Sequence, residues 1–252
     1  MKALLFLAAA SAATAIAMAA AQATQSAPST PTNAAVARVK GKVRFSGERP
    51  ERKPLAIDAA QATGCCPAGK NVDTVDPTLL IADDGGLANC VITIDVPGAK
   101  VEALKEPVTL DQHLCQFEPH VLIVPLGSKV VFLNSDQVSH NVHTYSVKND
   151  PKNQTVAPGG KYELLLESGE RIQVKCDMHP WMSSTIIVTE SPFTALTKAD
   201  GSFEISGLKP GTYPVQCWQE RLPKIKAEIT VREDGTSDLL ELKMEEKKKK
   251  PG

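Results

Sequence analysis

The chain has 252 residues, enough for one or two domains with cores of their own. Its 28 basic and 29 acidic residues leave a formal charge of −1, so it lacks the basic footprint of a nucleic-acid binder. Its six cysteines need an oxidising compartment or a metal to account for them.

Residues 1–23 read as an export signal. Lys2 gives a positive start, Leu4 to Ala21 is apolar apart from Ser11 and Thr14, and Ala21-Gln22-Ala23 is a small-x-small cleavage site. The alternative is an uncleaved membrane anchor, for which the run is barely long enough. No later stretch is long and apolar enough to cross a bilayer. Residues 24–37 read as a linker and 244–252, which contain a lysine run, as a solvated, disordered tail. The expected location is therefore the periplasm, the exterior or the cell surface.

Between linker and tail, short β-rich runs recur: KGKVRFS, NCVITIDV, HVLIVPL, SKVVFLN, YELLLES, RIQVKC, STIIVTE, GSFEIS, TYPVQCWQ and KAEITVRE. Turn pairs separate them, among them Gly85-Gly86, Gly159-Gly160, Asp200-Gly201 and Pro210-Gly211. The expectation is an all-β fold of the sandwich or small-barrel kind. Residues 100–106 could make two helical turns at most before Pro107.

Residues 175–182, KCDMHPWM, pack a thiol, an imidazole and two thioethers into eight positions. RIQVKC alternates as a strand, so Cys176 falls near its end, with His179 and Met182 at spacings of three on the loop. Residues 130–145, VVFLNSDQVSHNVHTY, read as a strand, a polar loop and then two imidazoles, His140 and His143. Two imidazoles, one thiolate and a weak axial thioether make the ligand set of a blue-copper electron-transfer site. Met178 reads as a loop or surface residue. A rival pairing is a disulfide between Cys176 and Cys115, which would leave His140, His179 and Met182 no reason to converge. His113 and His120 flank Cys115. They are read either as a second metal site with Cys65 or Cys66, or, the stronger reading, as Cys115 in a disulfide with His120 a satisfied histidine at a strand start. Asn153-Gln154-Thr155 fits a glycosylation acceptor, a tripeptide that recurs by chance.

Residues 120–189 resemble the cupredoxins, the amicyanin type in particular. The resemblance rests on Cys176, His179, Pro180, Trp181 and Met182, and upstream on Asn134, Asp136, His140, Asn141, Val142 and His143. It implies a Greek-key sandwich over 107–189 with one type 1 copper on His140, Cys176, His179 and axial Met182. It also implies that Asn141 ties the two ligand loops together and that His143 is not a ligand. The flanks, 38–98 with 190–243, resemble the carboxypeptidase-regulatory-like domains, small transthyretin-like β-sandwiches. The DGSF and GLKPGTY stretches from Asp200 to Tyr213 carry that likeness. The copper domain is then inserted into, or packed beside, a discontinuous sandwich. If NCVITIDV and TYPVQCWQ are strands of that sandwich, Cys90 and Cys217 come within bridging distance. A second bridge joins Cys115 to Cys65 or Cys66.

The expected function is that of an exported single-electron carrier, with a redox protein or enzyme docking where the edge of His179 reaches the surface. Met178, Pro180 and Trp181 would form the apolar rim of that dock; alternatively Trp181 is buried and braces the loop. Two other readings are a copper-binding or storage module, and a surface interaction protein with a structural copper loop. An enzyme is not expected, because four protein ligands leave no open position for substrate. No integral membrane segment is expected once the signal is removed.

Overall fold

The computed structural model describes residues 37–246, apart from 52, 61, 63 and 66–71. The expected signal (1–23), most of the linker, Cys66 and the tail beyond 246 lie outside the described residues. Within them the chain is all-β and no helix forms. The strands run β1 (Ala37–Phe45), β2 (Val91–Ile94), β3 (Val108–His113), β4 (Gln116–Glu118), β5 (Val121–Pro125), β6 (Lys129–Asn134), β7 (His140–Tyr145) and β8 (Asn153–Val156). They continue as β9 (Lys161–Leu165), β10 (Glu170–Lys175), β11 (Ser183–Thr189), β12 (Thr194–Leu196), β13 (Ser202–Leu208), β14 (Gly211–Trp218), β15 (Ile225–Val231) and β16 (Leu240–Met244).

Four sheets result, and they line two hydrophobic cores. Sheets β13-β1-β16 and β12-β2-β14-β15 hold the first core, around Val43, Leu87, Ile92, Phe203, Val215 and Leu242. Sheets β5-β11-β10-β7-β8 and β4-β3-β6-β9 hold the second, around Leu110, Phe132, Ile172, Val174 and Ile186. The pleat explains the assignment. In β1, β10 and β16 buried and exposed residues alternate, as one-sided strands must. In β11 the run Ser184–Ile186 is buried throughout, because this strand lies between parallel β5 and antiparallel β10 inside its sheet.

The chain crosses between the two sheet pairs twice, after β2 and before β12. Ser191 Oγ donates to the Ile94 carbonyl at 2.9 Å, and Thr189 and Thr194 share a hydroxyl bond of 2.8 Å. Farther along, His120 Nε2 meets Glu220 at 2.6 Å and the Arg171 guanidinium lies over Trp218. Gly201 closes the β12–β13 turn at φ +80°, where a Cβ would run into the Val43 carbonyl, so both shape and conformation require glycine.

Three sequence expectations are corrected. Residues 100–106 form no helix: the Val101 N–H is bound by the Glu190 carbonyl and the Leu104 N–H by Ser128 Oγ, so the backbone donors serve the crossover instead. Ala37, expected in the linker, opens β1 and is 2% exposed. Cys90 and Cys217 are free, buried thiols rather than a bridge. The register explains this. Cys217 stands opposite Ile92, so Cys90 is its diagonal neighbour on the same face and not its direct cross-strand partner. The Cys217 thiol points at Met244 Sδ, 3.6 Å away, and the neighbouring Cys90 together with burial pushes its ionisation upward.

Phe132 is fully buried and stacked on Tyr162 with ring centroids 6.1 Å apart. Phe132→Ala is expected to lower unfolding stability by about 3–5 kcal/mol through lost burial and the cavity left behind. Urea melts of the two proteins measure it, and a loss under ~1 kcal/mol would show that this core collapses around the gap.

Candidate metal centre

The four proposed ligand positions come from two connections in the second sheet pair. β7 begins with His140, and β10 ends at Lys175, directly across from His143. Cys176 therefore leaves the sheet beside β7. The 176–182 loop closes on itself: the Cys176 N–H reaches the Met182 carbonyl at 3.3 Å and the Met182 N–H the His179 carbonyl at 2.9 Å. That tight turn places His179 back over Cys176.

The structure brings His140, Cys176 and His179 together. The two Nδ1 atoms are 2.9 Å apart, and Cys176 Sγ lies 4.0 Å from that of His140 and 3.7 Å from that of His179. The point equidistant from the three atoms is about 2.1 Å from each, against metal bonds of roughly 2.0 Å to imidazole and 2.3 Å to thiolate. The donor set thus fits a soft metal ion without rearrangement. His140 is 0%, Cys176 2%, His179 7% and Met182 1% exposed, so all four side chains are closed off from bulk solvent.

Asp136 fixes His140. Its carboxylate takes His140 Nε2 at 2.8 Å, and also accepts the backbone N–H groups of Leu114 and Cys115 at 2.6 and 2.8 Å. A proton held on Nε2 leaves the Nδ1 lone pair facing the cluster. Burial opposes the charge on Asp136, but the bonds from His140 and the two N–H groups outweigh it and hold the carboxyl below its ordinary range. Burial likewise opposes a charged His140, and Asp136 and Cys176 outweigh it upward.

Asn141 joins the two ligand segments. Its Oδ1 accepts the Asp177 N–H at 2.7 Å and the Cys176 thiol at 3.3 Å, while Nδ2 donates to Asn153 and Asp177. His143 lies outside the cluster, bound to Asp177 at 3.0 Å and stacked on Tyr145. His120 is also apart, tied to the Ser183 carbonyl and Glu220, and His113 ends β3 opposite Gln116. Asn153 of the glycosylation tripeptide spends its amide on Asp177.

The surface edge expected for His179 is not there. Its Nε2 faces Cys65 Sγ at 4.0 Å, and Cys65 is bonded to Cys115. Trp181 is 8% exposed; it packs against the His179 ring and donates from Nε1 to the Cys115 carbonyl at 3.0 Å. Of the expected rim only Met178, 39% exposed, and Pro180 reach the surface. Sequence reasoning quoted Asp136 without giving it a role. It left the partner of Cys115 open between Cys65 and Cys66, and the structure selects Cys65.

Burial would raise the Cys176 thiol, but its hydrogen bonds with His140 and His179 prevail and bring it from 9.0 down to about 6. A depressed acid stabilises the fold fully above the unfolded thiol range of about 8.5, and the contribution fades as pH falls through the folded value. The metal-free protein should therefore show a thiolate absorbance step near pH 6 that Cys176→Ser lacks, with stability falling over the same window. A step only near the ordinary thiol value would remove the hydrogen-bond account.

No family model matches the chain, and no curated protein does. Among solved structures, a copper-containing nitrite reductase from Thermus scotoductus aligns at 26% identity over 39% of this chain, TM-score 0.33, and the chain spans only 25% of that enzyme's length. A purple cupredoxin from Nitrosopumilus maritimus aligns at 21% identity over 32% of this chain and 99% of its own, TM-score 0.29. A copper(I) form of an amicyanin variant aligns at 20% identity over 39% of this chain and 98% of its own, TM-score 0.32.

Proposed function

We propose that this chain is an exported type 1 copper protein that carries single electrons to or from a redox partner. The observation behind the reading is the triangle of His140 Nδ1, Cys176 Sγ and His179 Nδ1, with sides of 2.9, 3.7 and 4.0 Å in a buried chamber. Met182 is the axial thioether of this reading. Copper supplies a one-electron couple on soft and borderline ligands. The chain's own residues hold the geometry: Asp136 sets the His140 tautomer, Asn141 locks the Cys176 turn to β7, and Trp181 braces His179. A site held by hydrogen bonds from strands changes little when its charge changes. The reading includes no enzyme activity, since the protein fills every metal position. A redox protein would approach over Met178 and Pro180, the exposed residues of the ligand loop. Export fits a disulfide beside the site.

Copper-loaded protein should show intense thiolate-to-copper absorption. Cys176→Ser should abolish it, because a hydroxyl cannot supply the charge transfer. Met182→Leu should keep the colour and raise the reduction potential, and His143→Ala should keep both copper and colour. An unchanged visible spectrum in the Cys176 variant would sink the assignment.

A further inference from the structure

One face of the β2–β14 pair fills the first core, and the other meets the second sheet pair. Gln216 stands opposite Thr93 and Trp218 opposite Val91, so these four side chains share the face turned away from Ile92, Val215 and Cys217. Val91 belongs to neither core, yet it is only 3% exposed. β10 and β11 explain this. They bring Arg171 and Ile187, which are partners in register, up to the same surface. The Arg171 guanidinium lies over the Trp218 ring, 5.3 Å from its centroid. A cleft of about 180 Å³ remains between the two faces, with Glu170 and Lys224 also in its wall.

The cleft is rich in donors and short of acceptors. Among the described residues, the Arg171 guanidinium has no protein partner but the Trp218 ring, and Lys224 Nζ and the Gln216 amide have none. The acidic residue of the wall, Glu170, is already committed. It accepts the backbone N–H groups of Val147, Lys148 and Asn149 at 2.6, 3.1 and 3.2 Å. Burial opposes its charge, but those bonds and the Asn149 side-chain amide outweigh it and hold the carboxyl below its ordinary range. Two cations against one spent anion leave the cleft positive. A guanidinium that only clasps two sheet pairs together uses its face against the ring. Its N–H fork stays unspent and is held in one plane by the stack. A clasp also gives no role to the second cation, Lys224, at the same gap.

We propose that this cleft between the sheet pairs binds a small organic carboxylate with a compact apolar body, of about the size of benzoate. Arg171 takes the carboxylate through its N–H fork, to which a planar two-oxygen anion is matched. Lys224 adds charge and Gln216 a further donor, while Val91, Ile187 and Trp218 cover the apolar part. A sugar would also need acceptors for its hydroxyls, and Glu170, the natural one, is spent. The volume sets the size, because 180 Å³ falls below the roughly 300–1,000 Å³ of sites for drug-sized ligands. The proposal is independent of the copper reading, since none of His140, Cys176, His179 and Met182 lines the cleft.

The test is calorimetric titration of benzoate into the full, metal-free chain, with benzamide, the same ring without the charge, as comparison. Benzoate should bind one per chain with a dissociation constant of roughly 0.1–1 mM, and roughly tenfold or more tighter than benzamide. Arg171→Gln should weaken benzoate roughly tenfold or more, because the charged fork is lost, and Lys224→Gln about threefold, because a single exposed charge is lost. Lys129→Gln removes a cation paired with Glu163 on the β6–β9 ladder, outside the cleft, and should leave the affinity unchanged. Circular dichroism checks that Arg171→Gln is folded, and Lys224→Gln gives the comparison without touching the stack on Trp218. Any one of four results would overturn the proposal: no saturable heat with benzoate up to about 10 mM; equal affinity for benzoate and benzamide; the same loss in Lys129→Gln as in Arg171→Gln; or an affinity that Lys224→Gln does not lower.

Discussion

Asp136 holds its carboxylate in the interior, 4% exposed, between the His140 ring and two backbone N–H groups of the Leu114–Cys115 turn. A buried charge without partners would cost several kcal/mol, and one with three donors becomes a fixed point. Three features depend on it. It decides which nitrogen of His140 faces Cys176. It stabilises a turn in which two residues with side chains sit at positive φ. Through that turn it sets where the Cys115 sulfur stands, and hence where Cys65, bonded to it, comes to rest. The loop bearing Asp136 is anchored in turn by Asn134, whose amide reaches the Val138 and Val156 carbonyls and whose Oδ1 accepts the Asp136 N–H.

The sheets supply the other half of the geometry. β7 pairs with both β8 and β10, so His140 and the exit to Cys176 are set by two ladders rather than by loops. Asn141 then reaches from β7 to the Cys176–Asp177 backbone. Ligands on strand ends, each locked by a neighbour's hydrogen bond, hold a metal site more closely than ligands on free loops. The first sheet pair adds no donor to this cluster. Its contribution is support: Glu220 fixes His120, whose carbonyl accepts the Thr185 N–H at the start of β11's ladder with β5.

The donors were legible because soft residues crowd together in sequence, with Cys176, His179 and Met182 at spacings of three. The strands with clean alternation were legible for a similar reason, since period-2 burial survives in β1, β10 and β13. The hairpin β3–β4 was not legible. Its turn, Leu114-Cys115, has no glycine or asparagine to announce positive φ, and Gln112 is fully buried where a polar residue is not expected. The packing of Cys65 over His179 was hidden for another reason: it depends on a contact 114 residues away in sequence, from a stretch with no periodicity. The expected Cys90–Cys217 bridge shows the opposite failure. Placing both segments in one sandwich was sound, since β2 and β14 pair, but a bridge depends on register, and a shift of two residues separates neighbours from partners.

Charge ties the metal reading to the covered chamber. Cys176 is brought down to about 6 and Asp136 is held below its ordinary range, so the chamber gathers negative charge, and these neighbours push the ionisation of His140 upward against its burial. The Nδ1 atoms of His140 and His179 are in hydrogen-bond contact at 2.9 Å and at least one of them must donate, so a proton lies where the proposed metal would bind. Loading any cation therefore releases protons, and affinity falls as pH drops below the range where His140 gives up its charge. Once the proton has gone, a monovalent ion in the proposed site would leave one negative charge uncompensated in the buried interior, while a divalent ion would leave none. Enclosure by Cys65 and Trp181 strengthens that preference, because excluding water raises the cost of the unbalanced state. Cys65 and Trp181, packed against the outer face of His179, would on the copper reading make the Asp136 charge count in the balance between the metal's two oxidation states.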